Sequence, residues 1–268
     1  MHLRIPNDEL RGLFNSCIEE GAAPESWLLA TLAAAPKKGK GGGDPAGYRN
    51  IGLESCLLKT LTFLIERRLR EWARDVGAIP EEQNGFRAGF RTENNLFALR
   101  VATEQAAADG RTLWVAYVDI ANAFPSVDHA ALWAKLHDMG ARGPILDWLR
   151  MLYRELRYRV RFQGEESDVF AAGAGILIGD PASPILWALF FSDFRPPPHP
   201  DDVVLDGVSV PYMAQADDIL LMALSYAALQ HKLLHLALWC ERYDLPVHVP
   251  APRLTACVLE GTDYASTS

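Results

Sequence analysis

Hydrophobic and polar positions follow two different rhythms along this chain, and each predicts a different kind of element. Apolar residues at helical spacing fill "SCLLKTLTFLIERRLREWARDVG", where Leu57, Leu61, Leu64, Ile65, Leu69 and Trp72 face one way and basic residues the other, with Gly77 as the stop. The same rhythm predicts helices in "TENNLFALRVATEQAAADG", capped by Thr92 and ended by Gly110, in "HAALWAKLHDMG", in "ARGPILDWLRMLYREL" and in "YAALQHKLLHLALWCERYD". Residues Met1 to Ala35 also read as helical, "ESWLLATLAAA" being their clearest apolar stretch, and "SPILWALFFSDF" reads as a buried helix following Pro184. The other rhythm is a short run rich in β-branched and aromatic residues. "TLWVAYVDI", Thr112 to Ile120, is a buried strand by this criterion and carries Asp119 near its end. "VSVPYMAQADDILLMAL" reads as strand, turn, strand with "ADD" at the turn, and "RYRVRFQGEESDVFAAGAG" alternates about a glycine as a hairpin does. "LPVHVPAPRLTACVLEG" holds short strands broken by prolines. Between the elements lie a Gly- and Lys-rich loop from Pro36 to Leu53 and a surface loop, "PPPHPDDVVLDG". No internal repeat is visible.

Composition narrows the class. At 268 residues and 49% hydrophobic, the chain suits one large folded domain or two coupled subdomains. No apolar run reaches the ~18 to 20 residues that cross a bilayer, and the start lacks the basic-then-apolar order of a signal peptide, so an intracellular protein with no membrane partner is expected. Cys17, Cys56, Cys240 and Cys257 lie far apart, which argues against a zinc knuckle or a disulfide framework and for reduced core residues. A net charge of -8 argues against a generally basic nucleic-acid surface. The charge is uneven, however: 12 Lys and Arg stand against 10 Asp and Glu from Ala34 to Gly110, and 12 against 19 from Arg111 onward. The basic excess therefore sits upstream, in the stretch with the Lys-rich loop.

Asp217 and Asp218 are the conspicuous chemistry. A carboxylate in an apolar run costs several kcal/mol unless it is paired, hydrogen-bonded or bound to metal. A solvated hairpin tip is the plain reading of two adjacent aspartates in a turn, but apolar residues flank this pair on both sides. If the strand ending at Asp119 lies antiparallel to the one beginning at "ADD", three carboxylates converge and repel unless a divalent cation sits among them. Hard oxygen donors suit Mg²⁺ or Mn²⁺, and two such ions about 3.5 to 4 Å apart serve in-line phosphoryl transfer.

The order of motifs resembles the reverse transcriptase domain of non-LTR retrotransposons and, more distantly, the reverse transcriptases of group II introns. The resemblance covers roughly Ala34 to Gly261. "APKKGK" and "DPAGYRNIGLESCLLKTLTFLIERRL" resemble the family's proline-lysine loop and its "YRPISL" segment; "IPEEQNGFRAGFRTENNL" resembles "EQFGFRPGRST"; "VAYVDIANAFPSVDH" resembles "DLSKAFDSVDH". "GILIGDPASPILWALF" resembles "GVRQGDPLSPLLF", and "AQADD" stands where the family has "YADD" or "FADD". The resemblance implies an α+β right-hand polymerase fold, with a ferredoxin-like antiparallel palm and helical fingers. It implies an N-terminal helical extension over 1–33, fingers over 34–112, and a palm over 113–268 that includes a fingers-associated hairpin near 157–173. It implies RNA-directed DNA synthesis with an RNA template, a DNA primer, a deoxynucleoside triphosphate and two Mg²⁺ ions, for which Mn²⁺ can substitute. The place of action it implies is nuclear, on chromosomal DNA.

Carried over position by position, Asp119 and Asp217 become metal ligands with the backbone carbonyl of Ile120, and Asp218 becomes the third carboxylate. Lys37, Lys38 and Arg49 fall where basic side chains meet the triphosphate, and Phe124 where an aromatic lies under the sugar. Gly179 and Asp180 open the helix beside the nucleotide, Gln215 adjoins the primer end, and Gly85, Phe86 and Arg87 lie near the template. Four positions depart from the pattern: Gln215 replaces an aromatic, Ile178 a glutamine, Pro125 an aspartate and Ala251 a lysine, with Arg253 two residues on. The family's thumb would lie downstream of Ser268. These departures leave a second class of reading, a decayed or repurposed fold that binds nucleic acid without catalysis. A palm-like cyclase or RNA-templated RNA polymerase would share the acids, but "GFRAG" and "GDPASP" argue against it.

Overall fold

The computed structural model describes residues 5–37 and 45–248. In chain order the first elements are α1 (Asn7–Glu20), β1 (Leu29–Pro36), β2 (Tyr48–Leu53), α2 (Cys56–Asp75), α3 (Thr92–Ala108) and β3 (Trp114–Ile120). Then come α4 (His129–Asp138), α5 (Pro144–Glu155), β4 (Arg157–Phe162), β5 (Glu165–Glu166), β6 (Phe170–Ala171) and α6 (Ser183–Phe191). The last are β7 (Val204–Leu205), β8 (Val208–Ser209), β9 (Tyr212–Gln215), β10 (Asp218–Ala223), α7 (Tyr226–Arg242) and β11 (Val247–His248). Two compact units divide the chain, one of residues 1–76 and 127–190, the other of 77–126 and 191–268. The divisions expected at 33/34 and 112/113 do not coincide with these, and β1, from Leu29 to Pro36, runs across the first of them into the sheet that holds β4.

In the first unit β2, β1, β4 and β5 form a sheet in that order, with β6 also paired to β4. β1 is a correction to the helix expected through Ala35. Gly21, at a φ of 61°, ends α1, and Pro24 follows. The Leu- and Ala-rich run beyond then pairs antiparallel with β2 and parallel with β4, from Leu29 opposite Arg157 to Ala33 opposite Arg161. Ladder hydrogen bonds on both edges outweigh the small per-residue helix preference of Ala and Leu. β2 corrects the loop expected through Leu53. Its pattern was hidden because Gly52 is its one buried position and carries no side chain. That glycine is required: a Cβ there would lie 2.5 Å from the Leu177 side chain, while the Gly52 N–H donates to the Ile178 carbonyl at 2.7 Å.

α2 forms as its periodicity predicts, though its buried stripe runs through Leu58, Leu61, Ile65, Leu69 and Ala73, leaving Leu64 exposed. α5 starts on Pro144 after Gly143, anchors through the Trp148 Nε1 bond to the Ala22 carbonyl at 2.8 Å, and buries six of its residues. α6 is apolar on every side and is buried accordingly. The hairpin of β4 and β5 turns at Gln163 and Gly164, both at positive φ.

The second unit is an antiparallel sheet in the order β11, β3, β10, β9. Val115, Met213, Leu220 and Met222 on one face meet Ala102 and Ala106 of α3 in a core with Leu113 and Val203. On the opposite face Tyr212 joins Phe191, Phe194 and Trp239 of α7 in an aromatic cluster with ring centroids 5.0 to 6.3 Å apart. α3 begins one residue after Arg91, so Arg91 rather than Thr92 is its cap, and the Asn94 side chain accepts from the Arg91 N–H at 2.8 Å. "PPPHPDDVVLDG" is not wholly a surface loop: Asp202 and Val203 are buried in it and Val204–Leu205 pairs with β8. Cys17 and Cys240 are buried as expected, whereas Cys56 is exposed at the start of α2; Cys257 lies outside the described residues.

Candidate active site

The β9–β10 hairpin closes through a two-residue turn, Ala216 and Asp217, with Gln215 and Asp218 paired at its mouth. Ala216 takes a φ of 63°, a region that costs most L-residues about 1 kcal/mol or more. On the other side of β10, Asp218 stands opposite Asp119 of β3. Directly opposed residues share one face of a sheet with Cβ atoms about 4.5 to 5.5 Å apart, so these two carboxylates face the same solvent. Both are exposed. Partial burial, and then the charge of Asp119, push the Asp218 carboxyl above its ordinary value. Asp217 is half-buried in the turn itself, one residue before β10. Among the described residues no three His, Cys, Asp or Glu side chains converge as a ready metal cage. The structure therefore brings Asp119 and Asp218 together by register and sets Asp217 beside them. Two opposed carboxylates on one sheet face are a donor set that fits a hard divalent cation.

A cleft of about 560 Å³ opens over this face, bounded by Tyr117, Asp119, Gln215 and Asp218 on the sheet and by Asn95 and Leu96 of α3. The Gln215 Oε1 is buried without a hydrogen-bond partner among the described residues. Tyr117, 67% exposed, presents its ring two positions before Asp119 on the same face.

Phe124 lies in a short 3₁₀ turn after β3 with Pro125 beside it, and Phe86 meets it edge-on at 6.2 Å. Phe86 adopts a φ of 62°. Arg87 stacks over Phe90 at 4.1 Å and donates to the Pro80 and Gln83 carbonyls and to Glu81, so its guanidinium braces its own loop. Ile120 is buried and pairs with Val247.

Lys37, Arg49, Gly179 and Asp180 belong to the first unit, and Gly85 to the second. Arg49 is exposed on β2 opposite Ala35, and the Lys37 N–H bonds the Gly47 carbonyl at 2.7 Å. Gly179 is exposed at a φ of 108°. Asp180 is 4% exposed, accepts from the Ala182 N–H at 2.8 Å just ahead of α6 and interacts with Thr62. Lys38, Ala251 and Arg253 lie outside the described residues.

Sequence reasoning missed Glu54. Burial, and then the Asp180 charge, push its carboxyl up to about 8. Its signal was present, a lone acid in the run "NIGLESCLL". A carboxyl whose folded pKa is raised stabilises fully below its ordinary value of 4.5 and loses that contribution as pH rises through the folded value. The stability of the wild type relative to Glu54→Gln is therefore expected to fall between about pH 5 and 8, as read from urea unfolding at each pH. Parallel curves for the two proteins would remove the buried-acid assignment.

The sheet register, the carboxylates at the hairpin and the cleft above them define a palm of the nucleic-acid polymerase class. Residues 35–249 match the family described as "Reverse transcriptase (RNA-dependent DNA polymerase)", and the chain belongs to that family. Its relatives are polymerases of non-LTR retrotransposons. It is 28% identical over 252 residues to the probable RNA-directed DNA polymerase from transposon BS of Drosophila melanogaster, covering 91% of this chain and 27% of the relative. It is 30% identical over 208 residues to the corresponding protein of the X-element from the same organism, covering 77% and 22%. The chain thus spans about a quarter of the length of these relatives. Among solved structures, telomerase from Candida tropicalis in complex with a fragment of telomeric RNA superposes with a TM-score of 0.61 at 11% identity, over 90% of this chain and 43% of that one. The likeness is one of fold, the right-hand polymerase fold. No described helix is long and apolar enough to cross a membrane.

Proposed function

We propose that this chain carries the polymerising core of an RNA-directed DNA polymerase, extending a DNA primer on an RNA template from deoxynucleoside triphosphates. The observation that carries the reading is the register that opposes Asp119 and Asp218 at the mouth of the Ala216–Asp217 turn. In this reading Asp119, Asp217 and Asp218, with the Ile120 carbonyl, hold divalent cations, two Mg²⁺ for which Mn²⁺ can substitute. Bound there, such ions supply positive charge that favours an attacking alkoxide and neutralises the leaving pyrophosphate. The protein's own part is to position: the primer 3′-hydroxyl attacks the α-phosphorus, the new P–O bond forms, and the bond to pyrophosphate breaks. Lys37, Lys38 and Arg49 are assigned to the triphosphate, Phe124 to the sugar edge and Gln215 to the primer end. Gly85 and Phe86 are assigned to the template side, with Arg87 supporting their loop. The palm corresponds to the sheet of β3, β9, β10 and β11, and the fingers to the sheet of β1, β2 and β4. Kinship with mobile elements supports action on chromosomal DNA, in the nucleus.

Primer extension on poly-rA/oligo-dT with Mg²⁺ or Mn²⁺, run beside Asp217→Ala, tests the reading: the wild type should incorporate dTMP and the variant should not. Equal incorporation by both would end it. Phe124→Val is expected to raise incorporation of ribonucleotides relative to deoxynucleotides, because a smaller side chain leaves room for a 2′-hydroxyl; unchanged selectivity would remove that assignment. The departures from the family pattern at Gln215, Ile178, Pro125 and Ala251 favour a second reading, a decayed or repurposed fold acting as a non-enzymatic nucleic-acid-binding module, which would retain RNA binding and incorporate nothing.

A further inference from the structure

The turn that carries the paired acids is held from beneath by a residue that no role described so far includes. Gln83 is fully buried in the second unit. Its Nε2 donates to the Ala216 carbonyl at 3.1 Å, and its Oε1 accepts from the Ala216 N–H at 3.1 Å and from the Gly85 N–H at 2.8 Å. One side chain therefore satisfies both backbone groups of the residue at positive φ on which the hairpin turns. Its neighbours add to the grip, since the Ala214 N–H donates to the Glu82 carbonyl at 2.7 Å and the Asn84 N–H to the Ala214 carbonyl at 2.8 Å. Residues 82–84 thus lie along the outer edge of β9, with Gln83 bridged in parallel to Ala214. Gly85 closes the arrangement: a Cβ on it would lie 2.1 Å from the Ala216 nitrogen and 2.8 Å from its Cα. The backbone at 85 approaches the turn as closely as a glycine permits.

We propose that Gln83 is a positioning residue for the carboxylate turn, locking Ala216 and thereby aiming Asp217 and Asp218. The assignment rests on the reading that these acids hold divalent cations. A two-residue turn with a non-glycine residue at positive φ has other conformations within reach of about 1 to 2 kcal/mol, and each would rotate the next carboxylate away from Asp119. Hydrogen bonds to both sides of the Ala216 peptide remove those alternatives without touching a carboxylate. Gln83 reaches the acids only through the backbone.

Gln83→Met keeps the length and apolar volume of the side chain and removes all three hydrogen bonds. Gly85→Ala keeps the glutamine in the chain but sets a methyl group 2.1 Å from the Ala216 nitrogen and 2.8 Å from the Gln83 Oε1, crowding the same contact. In the full chain, amide exchange is read at Ala216 and along α7, and Mn²⁺ affinity is read by electron paramagnetic resonance of the free ion. Each variant is expected to speed exchange at Ala216 and to weaken Mn²⁺ binding, both about tenfold or more, with α7 unchanged. Unchanged exchange at Ala216 would overturn the proposal. So would equal acceleration along α7 in both variants, which means general loosening, or faster Ala216 exchange with Mn²⁺ affinity preserved. Failure of the underlying reading looks different: a wild type that binds no Mn²⁺ at all removes the cation site, and with it the positioning role, whatever the exchange at Ala216.

Discussion

Asp119→Asn is expected to abolish primer extension, lowering the rate by about 10³-fold or more while leaving the fold intact. The replacement is nearly isosteric and the residue is exposed on β3, so burial contributes little. What changes is charge and donor strength. A neutral amide opposite Asp218 removes the like-charge repulsion that, after burial, helps to raise the Asp218 carboxyl, and with it half of the opposed pair that could hold a cation. The variant should therefore be slightly easier to fold and far poorer as a catalyst. Measuring both in one preparation, nucleotide incorporation beside a urea midpoint, separates the two effects. A rate within about tenfold of the wild type would remove Asp119 from the catalytic set.

The second large effect concerns stability. Asp202→Ala is expected to cost about 3 to 5 kcal/mol, a large part of the ~5 to 15 kcal/mol that keeps a typical domain folded. Lys232 of α7 is fully buried, with Nζ 2.6 Å from Asp202 Oδ1 and bonded also to the Met222 carbonyl. Asp202 in turn accepts from the His199 N–H at 2.9 Å, tying the loop before β7 to the helix. Removing the acid strands an ammonium in an apolar interior. Burial already pushes the Lys232 amine down, and Asp202 opposes that shift. Without Asp202 the amine sheds its proton more readily, so the deficit should shrink as pH rises. The double replacement Asp202→Leu with Lys232→Met should recover most of the loss, since buried ion pairs exchange for apolar pairs at little cost. A loss below about 1 kcal/mol in denaturant unfolding of Asp202→Ala would contradict the assignment.

The second unit was more legible from sequence than the first, and the reason is physical. β3, β9 and β10 are short apolar runs in which β-branched and aromatic residues recur, and aspartates punctuate their ends, so strand, turn and site could be read together. β1 is built of leucine, alanine and threonine, and only its pairing with β2 and β4 makes it a strand. β2 carries its informative position as a glycine. Among the candidate residues, Asp119, Asp217 and Asp218 were found because charge in an apolar run needs explaining, and Gln215 through the motif, where it replaces an aromatic. Glu54 and Gln83 were not, because an isolated Glu or Gln near a helix start or in a turn-rich loop looks ordinary until its partners are known. Asp180 was recognised by motif, but which way its carboxylate turns depends on Thr62 and Ala182, more than a hundred residues apart.

The interleaving of the two compact units also bears on how the chain can be made. One of the two partners of β1, β4, begins 128 residues after it, at Arg157 opposite Leu29. At ordinary translation rates of about 5 to 20 residues per second, β1 waits on the order of ten seconds with one edge bare. Throughout that interval β2, a few residues behind it, is the one native strand that can shield the nascent segment. A pause in translation before β4 has left the ribosome would lengthen the exposure of that edge.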